Sequence, residues 1–403
     1  MDTDTIHTGD AFDVLPTLPA DSVHAVVTDP PYGLAFMGRD WDDFEPKEYQ
    51  EWCEEWAREA LRVLKPGGHM LAFSGNRTHH RLFTGVEDAG FEIRDTITWH
   101  YGSGFPKALD VSKAIQKSNG VEPKETNDAM DNGMWADDSE YNDCYNHHTM
   151  PEPEGVAAKW DGFKTALKPA TEYVVVARAP LSEGTVAENV QTHGTGALNI
   201  DGCRVEGEVK TFENDDGDSE TCYSDGLHGS QQVGTTEGRY PSNVVFDGQA
   251  AEALDREVGD KKSCDPHTLT DKGERDVYSN EEPNRRQVGY DDSGGPSRYF
   301  YTSKASRAER TLEGTIDNAH PTVKPADLME WLVRLVTAEG QIVLDPFTGS
   351  GTTCRAAKDI ARQFIGVERD PKWADVARVR VGLTPADPST VREDGQGGID
   401  DWT

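Results

Sequence analysis

Basic side chains are scarce in this chain. Only 40 Lys and Arg stand against 73 Asp and Glu, a formal charge of −33 over 403 residues. A surface of that sign repels phosphate backbones, which opposes binding of nucleic acid in ordinary buffer. Two arrangements stay open: basic groups gathered on one face, or work in concentrated salt, where the Debye length shrinks to a few ångströms. Paired cysteines are missing as well. Cys53, Cys144, Cys203, Cys222, Cys264 and Cys354 form no C-x-x-C pair, which argues against a disulfide scaffold and for reduced thiols. No apolar run approaches the roughly 18 residues of a membrane span. The acidic start Met1-Asp2-Thr3-Asp4 carries no signal core. A cytoplasmic protein without a membrane partner is expected. His79-His80 and Cys144-Tyr145-Asn146-His147-His148 lack a second ligand pair at metal spacing, so no metal site is expected.

What the chain does contain is concentrated in two stretches. The first is Val26-Val27-Thr28-Asp29-Pro30-Pro31-Tyr32-Gly33, a β-branched apolar run ending in an acid, two prolines and an aromatic. It reads as a buried parallel strand that delivers reactive groups to a sheet edge. The Asp29 carboxylate and the Pro30 carbonyl can accept from an exocyclic amino group, and the Tyr32 ring can stack on a planar base. The second runs from Gln341 to Thr353: an apolar strand, a glycine-rich turn and the start of a helix. Its glycines let the backbone approach a ligand closely, and the helix start offers free N–H groups. The strand that follows, Gln363 to Val367, leads to Glu368, an acid placed to accept both ribose hydroxyls of a nucleoside. No phosphate-loop lysine is present, which argues against a nucleoside triphosphate.

Around these stretches the pattern is α/β. Thr5 to Asp10 reads as a short strand ending at an acid, and Asp10 suits both a helix N-cap and a ligand contact. Leu34 to Asp42 is expected to be a loop closing over the base. Pro46 to Leu64 reads as a helix whose aromatics are core, ended by Lys65-Pro66-Gly67-Gly68. Further strands are predicted at His69–Phe73, Glu92–His100 and Glu172–Arg178. Residues 181–310 are polar, with long acidic tracts, and do not read as α/β. Arg interleaves with aromatics there, at Arg239-Tyr240 and Arg298-Tyr299-Phe300-Tyr301, ahead of Lys304 and Arg307. With Arg310 these form the best basic group in the chain, suited to phosphates, base edges and unstacked bases, and Lys107 and Lys113 are further basic groups. The tail from about Ala386 is acidic and expected to be disordered.

The tetrapeptide Asp29-Pro30-Pro31-Tyr32 resembles the catalytic signature of DNA methyltransferases that modify N6 of adenine or N4 of cytosine. Asp345-Pro346-Phe347-Thr348-Gly349-Ser350-Gly351 strongly resembles their S-adenosyl-L-methionine signature, and His320-Pro321-Thr322-Val323-Lys324-Pro325 resembles the rim of their cofactor pocket. With the catalytic half first, the order resembles the permuted β class, over roughly residues 4–178 and 297–380. The resemblance implies a Rossmann-like fold: a doubly wound, mostly parallel sheet in circularly permuted order with an inserted target-recognition region. The expected division is a catalytic half over 1–180, a partly disordered recognition insert over 181–310, a cofactor half over 311–385 and the tail over 386–403. Implied catalytic residues are Asp29, Pro30, Pro31 and Tyr32. Implied cofactor residues are Asp10, Thr322, Lys324, Asp345, Phe347, Gly349, Ser350, Gly351 and Glu368. Lys107, Arg239, Arg298, Lys304 and Arg307 are the candidate contacts to double-stranded DNA, and a homodimer and a cognate restriction endonuclease are compatible partners. Asp at the head of the tetrapeptide is commoner in adenine enzymes, which favours adenine N6 over cytosine N4. Readings of another class are an RNA or protein methyltransferase, whose relatives usually carry Asn at the position of Asp29, and a catalytically silent DNA-binding regulator. The acid excess resembles that of salt-adapted archaea or their viruses.

Overall fold

The computed structural model describes residues 1–34, 44–104, 108–125, 148–212, 234–262, 293–303 and 323–387. The chain splits into a larger unit, Met1–Gly102 with Thr171–Thr403, and a smaller one, Ser103–Ala170. The larger unit is built on a sheet of nine strands among the described residues. In chain order they are β1 (Thr5–Thr8), β2 (Val23–Thr28), β3 (Leu64–Ser74), β4 (Glu92–His100), β5 (Thr171–Arg178), β6 (Val244–Asp247), β7 (Tyr301–Ser303), β8 (Ile342–Asp345) and β9 (Gln363–Glu368). Side by side they run β1-β9-β8-β2-β3-β5-β4-β6-β7. Every neighbouring pair is parallel except the two made by β5, which lies antiparallel between β3 and β4. The carboxyl ends of the parallel strands therefore share one edge with the amino end of β5.

The apolar runs explain the centre of this sheet. A parallel strand covered on both faces needs apolar residues at successive positions, and alternate residues then serve opposite layers. Ala25, Val27, Leu71, Phe73, Val174 and Val176 belong to one core, and Val26, Met70, Ala72, Val175 and Ala177 to the other. Helices α1 (Ala11–Val14), α2 (Pro46–Val63) and α3 (His79–Asp88) contribute to the second core. α2 starts at Pro46 behind a Glu45–Glu48 capping box and buries Tyr49, Cys53, Trp56, Ala57, Ala60 and Val63 on one face. Burial pushes the Cys53 thiol up to about 12, so it is inert packing. The helix gives way directly to β3, which takes in Lys65–Gly68 instead of leaving them as a separate turn.

The smaller unit carries α4 (Val111–Ser118) and α5 (Gly155–Lys159), joined by Ser112 Oγ donating to the Ala157 carbonyl at 2.9 Å. Asp110 caps α4 and pairs with Lys164. In the larger unit follow α6 (Val186–His193) and α7 (Gly248–Val258), then α8 (Ala326–Val336), α9 (Thr352–Asp359) and α10 (Pro371–Arg380), the last three against the first core. No helix among the described residues is long and apolar enough to cross a membrane.

The stretch 181–310, which does not read as α/β, nevertheless supplies β6, α7 and β7, and β6 pairs with β4 through Val244↔Thr98, Val245↔Trp99 and Phe246↔His100. Strands of three and four residues are too short to show a period. Their pairing comes from the edge of β4, which lies far away in sequence.

His69 sits 4% exposed in β3. Burial, then Arg178 and Arg94, push its pKa down to about 4. The folded chain holds it neutral while the unfolded chain protonates it near 6.5, so its stabilising contribution is complete above that value and is lost as pH falls toward 4. Asp345, raised to about 6, acts in the opposite sense. The urea midpoint of His69→Gln should therefore fall less than that of the wild type between pH 7 and pH 5. Parallel curves would remove His69 from the account.

Candidate active site

The turn after β2 is held from below. Tyr49 of α2 donates its hydroxyl to the Pro31 carbonyl at 2.9 Å. Gly33 has φ +65, and a Cβ there would meet the Tyr49 ring at 2.7 Å, so the chain leaves Tyr32 through a position only glycine fits. Asp29 is thereby fixed just beyond the carboxyl end of β2. Tyr32 lies within 2.8 Å of Asp29 Oδ1 and 2.9 Å of Glu172 Oε2 through one hydroxyl, whose single proton serves one carboxylate at a time. Lys324 Nζ completes the group, 2.6 Å from Asp29 Oδ2, 3.1 Å from Tyr32 Oη and 3.3 Å from Glu172 Oε2. Burial works against the Lys324 charge, but the Asp29 and Glu172 carboxylates outweigh it and raise its pKa. Burial and the same two carboxylates hold the Tyr32 phenol well above its ordinary range.

The turn after β8 lies next to this group, since β8 and β2 are paired neighbours. Thr28 Oγ1 donates to Asp345 Oδ1 at 2.6 Å, and the Phe347 N–H reaches the same oxygen at 3.2 Å. Burial raises Asp345 to about 6 despite these donors. Phe347 packs edge-on against Trp56, with centroids 5.4 Å apart, and tilted against Trp52 at 5.3 Å. The Gly349 N–H donates to Glu368 Oε2 and the Asp370 N–H to Glu368 Oε1, both at 2.8 Å. Gly351, at φ +85, heads α9 where a Cβ would stand 2.8 Å from Ala377 Cβ. A narrow, partly open cleft runs past Asp29, Lys324, Asp345, Phe347, Gly349 and Ser350. Both signature turns thus open into one cavity.

A DNA methylase family model, that of N6- and N4-modifying enzymes, matches residues 23–378. The chain belongs to this DNA methylase family. S-adenosyl-L-methionine is its methyl donor and DNA its substrate. The methylase is 23% identical over 419 residues to Type II methyltransferase M.HindIII of Haemophilus influenzae, covering 94% of this chain and 96% of that one. A 62-residue segment is 45% identical to Type II methyltransferase M2.DpnII of Streptococcus pneumoniae, over 15% of this chain and 23% of that one. Among solved structures, the cytosine-N4-specific PvuII DNA methyltransferase aligns over 96% of this chain and 89% of its own, with 15% identity and a TM-score of 0.46. TTHA0409 of Thermus thermophilus, complexed with S-adenosyl-L-methionine, aligns over 95% and 99% with 18% identity and a TM-score of 0.41.

Most of the expected cofactor residues of the methylase gather at one edge, with differences in what they touch. Asp10 caps α1 through the Phe12 N–H at 3.0 Å and has its other oxygen 3.9 Å from Arg369. The Ser350 hydroxyl is taken by buried Arg380 at 2.9 Å. Lys324, expected on the cofactor rim, lines the cleft but points its ammonium at Asp29. Thr322, Lys107, Lys304, Arg307 and most of the loop 34–42 lie outside the described residues. Two of the DNA candidates are engaged in the protein. Arg239, 5% exposed, donates to the carbonyls of Glu206 and Arg298. Arg298 donates to the Gly294, Gly295 and Lys261 carbonyls and lies over the Tyr299 ring. Sequence reasoning missed Glu172. An acid in the second position of an apolar strand was the available signal, but only the antiparallel direction of β5 carries it to this edge.

Proposed function

We propose that this methylase flips its target base into the cleft and methylates the exocyclic amino group, adenine N6 being favoured and cytosine N4 the alternative. The 2.6 Å hydrogen bond from Thr28 to Asp345 carries this reading, because it couples the strand that presents Asp29 to the strand that presents the cofactor turn. Inside a duplex the stacked neighbouring bases block approach to the face of the amino nitrogen, along which its lone pair must meet the methyl group, so extrusion is required. Asp29 and the Pro30 carbonyl accept the two amino hydrogens and orient the nitrogen lone pair, while the Tyr32 ring stacks on the base. Bound S-adenosyl-L-methionine supplies an electrophilic methyl carbon on a sulfonium. Positioning and stabilisation of charge on the amino nitrogen then lower the barrier, with no covalent enzyme nucleophile. The choice of adenine rests on Asp29 at the head of the tetrapeptide. Modification-aware sequencing of DNA from cells expressing the wild type beside Asp29→Ala tests it. N6-methyladenine at one short motif, absent in the control, is expected; N4-methylcytosine would overturn the base and keep the mechanism.

The residues of the cavity fit the cofactor. Asp345 would offer a buried carboxylate to its cationic part and Phe347 an apolar wall in the cleft, while half-buried Glu368, held by the Gly349 and Asp370 N–H groups, would accept its hydroxyl groups. Because burial holds Asp345 at about 6, the site meets a cationic ligand with its charge in place only above that value. Cofactor affinity should fall on acidification below pH 6, by at most about tenfold per unit. Calorimetric titrations from pH 7.5 to 5 would show it, and a flat profile would exclude Asp345 as the counter-charge. The target is read by the segment 181–310 with the basic residues Lys107, Lys304 and Arg307, in a cytoplasmic methylase with which a cognate restriction endonuclease is compatible. The charge of −33 fits a salt-adapted host, so methyl transfer should survive molar KCl. Loss of fold there would end that part of the reading.

A further inference from the structure

A buried ammonium group occupies the place the target's amino group must take. The Lys324 side chain is 7% exposed and its Nζ lies 2.6 Å from Asp29 Oδ2. An amino nitrogen accepted by Asp29 needs the same carboxylate. That nitrogen also becomes cationic as its lone pair forms the N–C bond, the S–C bond breaks with its electrons left on sulfur, and an N–H proton departs to solvent. An ammonium on the same oxygen competes for the acceptor and opposes the developing charge. Lys324 cannot retreat among apolar groups, since a lysine has three donors and no acceptor, and a buried unpaired charge is strongly unfavourable. Phe73 and Tyr32 flank it, with ring centroids 4.9 and 5.4 Å from Nζ. Another acceptor must therefore stand within reach, and Glu172 Oε2 does, at 3.3 Å.

We propose that Glu172 is a positioning residue that takes the Lys324 ammonium from Asp29 when a base enters, freeing the Asp29 carboxylate for the target's amino group. This rests on the assignment of Asp29 as that group's acceptor. A shift on the order of 1 Å makes Glu172 the nearer partner, within the normal range of hydrogen-bond lengths. The Tyr32 hydroxyl, shared between the two carboxylates at 2.8 and 2.9 Å, turns its proton to Asp29 as the ammonium settles on Glu172. No charge enters or leaves the site. Lys324 thus holds the amino subsite in order while it waits, and Glu172 makes the exchange possible.

The test is methyl incorporation from labelled S-adenosyl-L-methionine into unmethylated genomic DNA of mixed sequence, using the full chain, with cofactor affinity and melting measured on each variant. Glu172→Gln should lower kcat by about tenfold to a hundredfold with cofactor affinity nearly unchanged. Adding Lys324→Met to it should restore at least roughly tenfold, because no ammonium remains to be held. A purely structural Glu172 would give losses that accumulate, without rescue. Should Glu172→Gln fail to fold, the double variant is compared with Lys324→Met alone: equal rates are expected, and a further loss overturns the proposal. It is also overturned by a double variant no faster than Glu172→Gln, or by one that no longer binds cofactor. An Asp29→Ala variant of normal rate would instead refute the assignment of Asp29 itself.

Discussion

Asp29→Ala should lower kcat by about a thousandfold or more while leaving cofactor affinity within a few-fold. Removing one preorganised group that stabilises developing charge costs about a hundredfold to a thousandfold. Misplacing the reacting nitrogen adds to that. Both losses fall on the chemical step, so kcat should drop more than the apparent KM for DNA rises. The cofactor turn is held by other contacts, chiefly Asp345 to Thr28 and Glu368 to Gly349 at 2.6 and 2.8 Å, which Asp29 does not make. Lys324 keeps Glu172 as a counter-charge, so the variant should fold. Asp29→Asn retains one acceptor oxygen and should fall between the two. Single-turnover methyl transfer with saturating cofactor measures the effect. An alanine variant within tenfold of the wild type would move the amino-accepting role elsewhere.

The largest loss of stability is expected at Trp56. Its side chain is fully buried on the face that α2 turns toward the sheet, and its ring meets Phe347 at 84° with centroids 5.4 Å apart. Truncating a buried Trp to Ala costs roughly 3–5 kcal/mol, part from lost transfer energy and part from the cavity left behind. The position also supports Phe347, so cofactor affinity should weaken with stability, although Trp56 does not line the cleft. Trp160 is the natural comparison: it is 44% exposed, and its replacement by alanine should change stability by about 0.5 kcal/mol or less. Urea unfolding and calorimetry on the two variants separate these effects. Equal midpoints for both would contradict the packing of Trp56 between α2 and Phe347.

The sequence alone determined the parts of this methylase whose physics is local. The β-branched run Val26-Val27-Thr28, bounded by the turn signals Asp29-Pro30-Pro31, reads as a buried strand from local chemistry alone. Two prolines, which lack the N–H a central strand needs, end it. The same holds for the β8 strand and its glycine turn, and for the buried face of α2, spaced by the helix repeat. The tertiary structure alone decided which distant groups meet. β5 is an apolar strand in either direction, and only its antiparallel placement between β3 and β4 brings Glu172 to Asp29, Tyr32 and Lys324. β6 and β7 are too short to announce themselves, and the edge of β4 makes them strands. Arg239 and Arg298 have the same side chain in the sequence as any DNA-reading arginine. In the fold their guanidinium groups meet backbone carbonyls, a choice set by which loops close over them. Periodicity and turn chemistry act over a few residues and can be read along the chain; strand direction and the pairing of remote charges are settled by packing, where every element competes for the same neighbours at once.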